Sequence, residues 1–135
     1  MGYCINQVKA EFFISNTDIE KTLKAIKELS GKETITDSSG KHYSWVDTND
    51  FLSARTIFEA FEAWRWDVYI DDSGNVNEIE FRGEKLGDDN YLFGAIAPFV
   101  KDGSFIEMQG EDGEMWRWSF QNGKFKEIKP TIIWE

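Results

Sequence analysis

Cysteine and histidine are almost missing from this chain, and their scarcity removes several chemistries at once. Cys4 is the single thiol and His42 the single imidazole among 135 residues. One cysteine forms no intramolecular disulfide, so a reducing, cytoplasmic compartment is the simpler expectation. One thiol and one imidazole also fall short of a Cys-rich or multi-histidine metal site and of a Cys-His nucleophile pair. No metal and no cofactor are therefore expected. Long apolar runs are missing too. No stretch approaches the length of a membrane span, and the start MGYCINQVKAEFF has neither the basic segment nor the apolar run of a signal peptide. A myristoylation reading of Met1-Gly2 fails at Asn6, where the pattern needs Ser or Thr.

Positive charge is the third shortage. Lys and Arg number 15 against 25 Asp and Glu, a formal net charge of −10, with a sequence pI near 4.6. That sign opposes direct binding to nucleic-acid phosphates and disfavours anionic membranes. The P-loop, GxGxxG, GxSxG and HExxH patterns are also absent, which removes the ordinary routes to an NTPase, a dinucleotide enzyme, a serine hydrolase or a zinc protease. A non-enzymatic role is the expectation.

Aromatic residues are plentiful. Six Trp and eleven Phe point to one domain over residues 1–135 with a large-ringed core. The clearest stretch runs from Ser104 to Glu135 and reads as three antiparallel strands. Met115 to Phe120 alternates strictly, with Trp116, Trp118 and Phe120 on one face and Arg117 and Ser119 on the other. Asn122-Gly123 is a strong hairpin signal, because a type I′ turn needs positive φ at both central residues, and Gly110 to Gly113 supplies a looser turn.

Upstream, Val8, Ala10, Phe12 and Ile14 alternate as a strand, with Phe13 marking a bulge or a doubly buried end. Asn16 is placed to cap a helix whose inner face is Ile19, Leu23, Ile26 and Leu29, ending at Gly31 and carrying a Glu20–Lys24 pair. Lys32 to Lys41 reads as a polar loop around at most a short strand at 34–36, and Tyr43 to Val46 as a short strand. Asp47-Thr48 then caps one long helix or two short ones reaching about Trp64, with Thr56 as the restart. Trp66, Val68 and Ile70 face inward on a hairpin that turns at Asp72 to Asn75 and returns through Ile79 and Phe81. A third helix follows Asp88 or Asp89, with a break at Pro98. The order β-α-β-α-β-β-α-β-β-β implies an α+β fold, its largely antiparallel sheet covered by helices on one face.

Charge is uneven along the chain. Between residues 67 and 89 eight acids, Asp67, Asp71, Asp72, Glu78, Glu80, Glu84, Asp88 and Asp89, stand against Arg82 and Lys85. Carboxylates spaced along a strand can imitate a phosphate row and occupy a basic groove, so these eight form the candidate partner-binding set and a basic protein is the expected partner. The other reading of the same acids is a solvated face. A calcium loop starting at Asp71 fails, since Val76 and Arg82 occupy the positions that need Gly and Glu. The rival site is for a flat anionic ligand such as a nucleotide, with Arg65, Trp66, Trp116, Arg117 and Trp118 supplying rings and guanidinium groups. A structural or assembly accessory is the third possibility, and the oligomeric state stays open.

The signature Gly110-Glu111-Asp112-Gly113-x-x-Trp116-Arg117-Trp118-x-Phe120, followed by Gly123 and Ile133-Trp134-Glu135, resembles the tails of small uncharacterised proteins of bacteria and their phages. The MGY start shares in the resemblance. It implies an accessory protein of a mobile element; the acidic charge and the missing catalytic motifs make a phage or prophage inhibitor of a host nucleic-acid-handling defence protein the preferred expectation. It carries over no activity and no site residue.

Overall fold

A computed structural model describes residues 2–32, 34–37 and 40–134. Among these residues six strands and four α-helices build an α+β fold: β1 (Ile5–Glu11), α1 (Ile19–Glu28), α2 (Thr48–Leu52), α3 (Ile57–Ala63), β2 (Trp66–Ile70), β3 (Val76–Phe81), α4 (Asp89–Ile96), β4 (Phe105–Gly110), β5 (Met115–Gln121) and β6 (Lys124–Ile128). An antiparallel sheet of order β1-β4-β5-β6 and the hairpin β2-β3 make up the β layer. The C-terminal meander forms as the alternation implies. Asn122 and Gly123 both take positive φ, 55° and 73°, at the tight turn that joins β5 to β6.

The hairpin continues the four-stranded sheet without a complete backbone ladder. At one end Ile14 and Val76 exchange N–H to carbonyl bonds of 2.9 Å each. At the other, Leu86 N–H donates to Tyr3 O at 2.7 Å and Ile5 N–H to Glu84 O at 2.9 Å. Between them the Gln7 side chain replaces the missing peptide pair. Its Nε2 donates to Ile79 O at 2.9 Å, and its Oε1 accepts from Phe81 N–H at 2.8 Å. An extended side-chain amide presents the same donor and acceptor as a peptide group, so the two pieces join with those polar groups satisfied. The register of β1 shifts at this point, between Gln7 and Lys9, and Val8 turns outward. The bulge thus lies at Val8, where alternation put an inward side chain, and not at Phe13.

Helices cover one face of the β layer. Phe93 of α4 packs against Trp118 and Trp66 with ring centroids 5.0 and 5.2 Å apart. Trp64 lies 5.5 Å from Phe51 and 4.9 Å from Tyr43. One contiguous cluster of buried side chains joins both groups.

Several local expectations change. Ser15, not Asn16, caps the 3-10 turn before α1 through Thr17 N–H, and the ion pairs at α1 are Lys21–Asp18 and Lys24–Glu28, both at 3.9 Å. Residues 43–46 form a turn and not a strand, with Trp45 at φ 67°. Of the two readings of residues 47–64 the two short helices hold, and Thr56 restarts the second as expected by accepting from Glu59 N–H. The break expected at Pro98 is present, as a 3-10 turn over Ala97–Phe99 that follows α4. Residues 34–36 are turn, and 129–134 continue past β6 without strand pairing. Ser38 and Ser39 of the polar loop, and Glu135 of the C-terminal signature, lie outside the described residues.

Candidate partner-binding face

The hairpin pairs Asp67 with Glu80 and Tyr69 with Glu78. Alternation sends these four side chains to the outer side, opposite the buried Trp66, Val68 and Ile79. Asp67 and Glu80 are therefore like charges directly across a ladder, an arrangement that disfavours the folded state unless a cation intervenes. Arg82 is that cation. Its Nε lies 2.7 Å from Asp67 Oδ2 and its Nη1 3.2 Å from Glu80 Oε1. Tyr69 Oη donates to Glu80 Oε1 at 3.1 Å, and this bond holds the phenol above its ordinary pKa. Among the described residues Glu78 and Asp72 have no ion-pair partner. Three carboxylates thus share one face with a single guanidinium.

The remaining acids of the expected set go elsewhere. Asp71 is consumed by its own turn: its carboxylate accepts from Asn75 N–H at 3.0 Å, Asn75 Nδ2 at 3.2 Å and Ser73 N–H at 2.9 Å. Those bonds, from Asn75 first, keep its pKa below the usual carboxylate range. Glu84 is exposed on the connection after β3. Asp88 accepts from Ser44 N–H at 2.8 Å and fastens the 43–46 turn.

Asp89 leaves the partner-binding set, because its side chain is 0% exposed. It anchors an interior polar cluster. Its carboxylate accepts from Trp66 Nε1 at 3.0 Å, Gly87 N–H at 3.2 Å and Arg65 Nη2 at 3.1 Å. Arg65 also donates from Nη1 to Lys85 O at 2.6 Å and lies over the Phe81 ring. A Cβ at Gly87 would fall 2.7 Å from Arg65 Nη2 and 2.9 Å from Ser44 O, so only glycine fits beside the pair.

The rival ligand set is split by the fold. Arg65 and Trp66 are committed to Asp89, and Trp66 and Trp118 are buried in the core. Trp116 and Arg117 do meet at a cavity of about 260 Å³, together with Glu107, Met115 and Lys129. There Arg117 stacks 4.2 Å over Phe105 and pairs with Glu107 at 2.8 Å. Trp116 Nε1 is buried without a partner among the described residues.

Sequence alternation missed the apolar part of the hairpin surface. Tyr69 and Ile70 are 42% and 49% exposed and share a groove with Phe58 and Glu62 of α3. Ile70 was expected inside. A register shift between Tyr69 and Ile70 turns it out, and only the Asp-rich turn that follows hinted at such an irregularity. Among the described residues no helix is long and apolar enough to cross a membrane. Comparison with known protein families, with curated proteins and with solved structures finds no match.

Proposed function

We propose that this chain is a non-enzymatic binding protein that engages a basic protein partner through the outer face of the β2-β3 hairpin. The observation that carries this reading is the grouping of Asp67, Glu78 and Glu80 on one paired ladder with only Arg82 among them. Glu78 and Glu80, two residues apart on an extended strand, stand about 7 Å from each other. That is within the screening length of about 8 Å at physiological ionic strength, so an approaching cation meets them as one field. Inhibition of a host nucleic-acid-handling defence protein by a phage or prophage product is the specific form of the proposal. It is supported by the carboxylate row and by the resemblance of the C-terminal signature.

Affinity capture from a bacterial lysate at low and high salt, followed by kinetics with the purified partner, tests the reading. Glu78→Lys with Glu80→Lys is expected to lower the association rate at least about tenfold while leaving the unfolding midpoint near its original value. Partner capture indifferent to salt and to these changes would defeat it.

The cavity beside Trp116 and Arg117 favours a second reading, capture of a small flat anion. A nucleotide present at a hundred times its dissociation constant would stabilise the native state by about 2.7 kcal/mol. Since Arg117 is already paired with Glu107, a thermal-shift screen of nucleotides is expected to show no such stabilisation. A clear shift abolished by Arg117→Ala would move the assignment to ligand capture.

A further inference from the structure

We infer that the groove between α3 and β2 seats an amphipathic helix of the partner, with its apolar stripe on Phe58, Tyr69 and Ile70 and cations along both of its flanks. This inference rests on the proposed role of the acidic face and specifies what the partner presents to it.

Two elements build the groove. α3 packs along β2 and closes the edge of that strand, leaving Trp66 and Val68 only 0% and 4% exposed. Side chains, not peptide groups, are what a partner can reach there. Phe58 and Glu62, one helical turn apart, stand on the outer side of α3, and Asp67, Tyr69 and Ile70 line the opposite wall around a space of about 460 Å³. Phe58 is 37% exposed, and with Tyr69 and Ile70 it gathers three large apolar side chains in one concave place. Apolar side chains scattered singly over a surface need no explanation, whereas a grouped set with a polar rim marks an interaction site.

Charge runs from the groove onto the hairpin face without a break. Asp67 and Tyr69 belong to both, since Asp67 pairs across the ladder with Glu80 and Tyr69 with Glu78. Glu62 forms the other wall. It is exposed and has no ion-pair partner among the described residues. The cavities beside Trp116, along α1 and beside Trp118 each include a lysine in their walls, but no described lysine or arginine lines this groove. A groove that is apolar in the middle and anionic on both sides complements a segment that is apolar in the middle and cationic on both sides.

These features select a helix as the occupant. With the peptide groups of β2 covered, the bound segment must satisfy its own backbone, which a helix does internally and an extended chain does not. The five residues of β2 span about 16 Å, the length of about three helical turns. A second copy of this chain fits poorly. Its α1 carries Lys21, Lys24 and Lys27, but Leu23 and Ile26 of that helix are buried in its own core, so it would bring cations without an apolar stripe.

Titration of the isotope-labelled full chain with end-blocked helical peptides, followed by backbone and isoleucine-methyl NMR shifts, tests the assignment. The probe has about 18 residues, long enough to hold a helix in isolation, with leucines at i, i+3, i+4 and i+7 and alanines and lysines elsewhere. It is expected to shift the Tyr69 and Ile70 signals and to bind about tenfold more tightly than a peptide of the same composition with its leucines scattered round the helix. Replacing every lysine by glutamate should abolish binding. Ile70→Ser and Glu62→Lys are each expected to weaken the lysine-leucine peptide about fivefold or more. Glu62→Lys changes an exposed helical position and should leave the unfolding midpoint near its original value, so the test survives if Ile70→Ser lowers stability. Salt-sensitive binding that is weakened by Glu78→Lys with Glu80→Lys but indifferent to both groove changes would overturn the groove while the acidic-face reading stands. Binding that responds to the groove changes alone would support the groove and overturn the acidic-face reading. Equal binding of the scattered-leucine peptide or of the glutamate peptide would reject an amphipathic, cationic occupant. The same shifts produced by a concentration-dependent dimer, without peptide, would assign the groove to a second copy and reject the inference. Absence of binding by any peptide rejects it as well.

Discussion

Replacing Asp89 by alanine is expected to destabilise the fold by about 3–5 kcal/mol, the range for breaking a buried ion pair from one side. The carboxylate serves three donors at once: the Arg65 guanidinium, Trp66 Nε1 and Gly87 N–H. Alanine leaves all three without it in an interior where Arg65 Nε already lacks a partner among the described residues. The guanidinium is only 15% exposed, so water restores little of the lost solvation. Asp89→Asn keeps the shape and an acceptor but loses the charge, and should fall between the two. Adding Arg65→Met to the Asp89→Ala background removes the stranded cation and is expected to recover part of the loss. Urea unfolding of the four chains measures these differences. A loss below about 1 kcal/mol for Asp89→Ala, typical of an exposed pair, would contradict the assignment of Asp89 as an interior anchor.

Removing the Gln7 amide is the second large change. Gln7→Ala is expected to lose about 2–3 kcal/mol, because Ile79 C=O and Phe81 N–H each forfeit a partly buried hydrogen bond, and an orphaned group costs about 1–3 kcal/mol. The loss should be local in exchange experiments. Phe81 N–H faces β1 and no other described residue bonds it, so its exchange should accelerate more than that of β4 or β5 amides. Gln7→Glu retains an acceptor for Phe81 N–H but offers no donor to Ile79 O, and it is expected to recover less than half of the loss. A uniform acceleration across all strands would instead mean that Gln7 acts on the whole core.

The same two residues show where sequence reading succeeds and where it stops. Periodicity located the meander, the hairpin and the buried faces of α1 and α4, because burial repeats every two residues in a strand and every 3.6 in a helix. It could not place Gln7, since a glutamine standing in for a peptide group leaves no periodic trace. Asp89 looked like one more acid in an acidic run. Its burial depends on Arg65, 24 positions earlier, and that distance is closed only by the packing of α4 against β2. Trp45 misled for a related reason: Tyr43 and Trp45 alternate like a strand, but the chain turns there with Ser44 N–H tied to Asp88. The acidic face itself was half legible. Glu78 and Glu80 sit where alternation put them, whereas Asp71 and Asp89 are spent on internal bonds and the apolar groove at Phe58, Tyr69 and Ile70 was hidden by a register shift.

Those bonds narrow the eight acids to a few that can act outward. The outward carboxylates of the hairpin, which the proposed partner would meet, are Asp67, Glu78 and Glu80, with Asp72 at the turn, and Arg82 limits their mutual repulsion. The arrangement costs folding stability through like charges set opposite each other, and an acidic chain with other surface to spare had no structural need for it. A cationic partner would reverse the sign of that cost.

The most direct measurement is the association rate constant of the purified partner as a function of ionic strength, for the unaltered chain and for Glu78→Lys with Glu80→Lys. The expected result is a steep fall with added salt for the former and a slow, nearly salt-independent rate for the latter, at equal unfolding midpoints. Equal rates for both proteins at every ionic strength would contradict docking through the hairpin's acidic face.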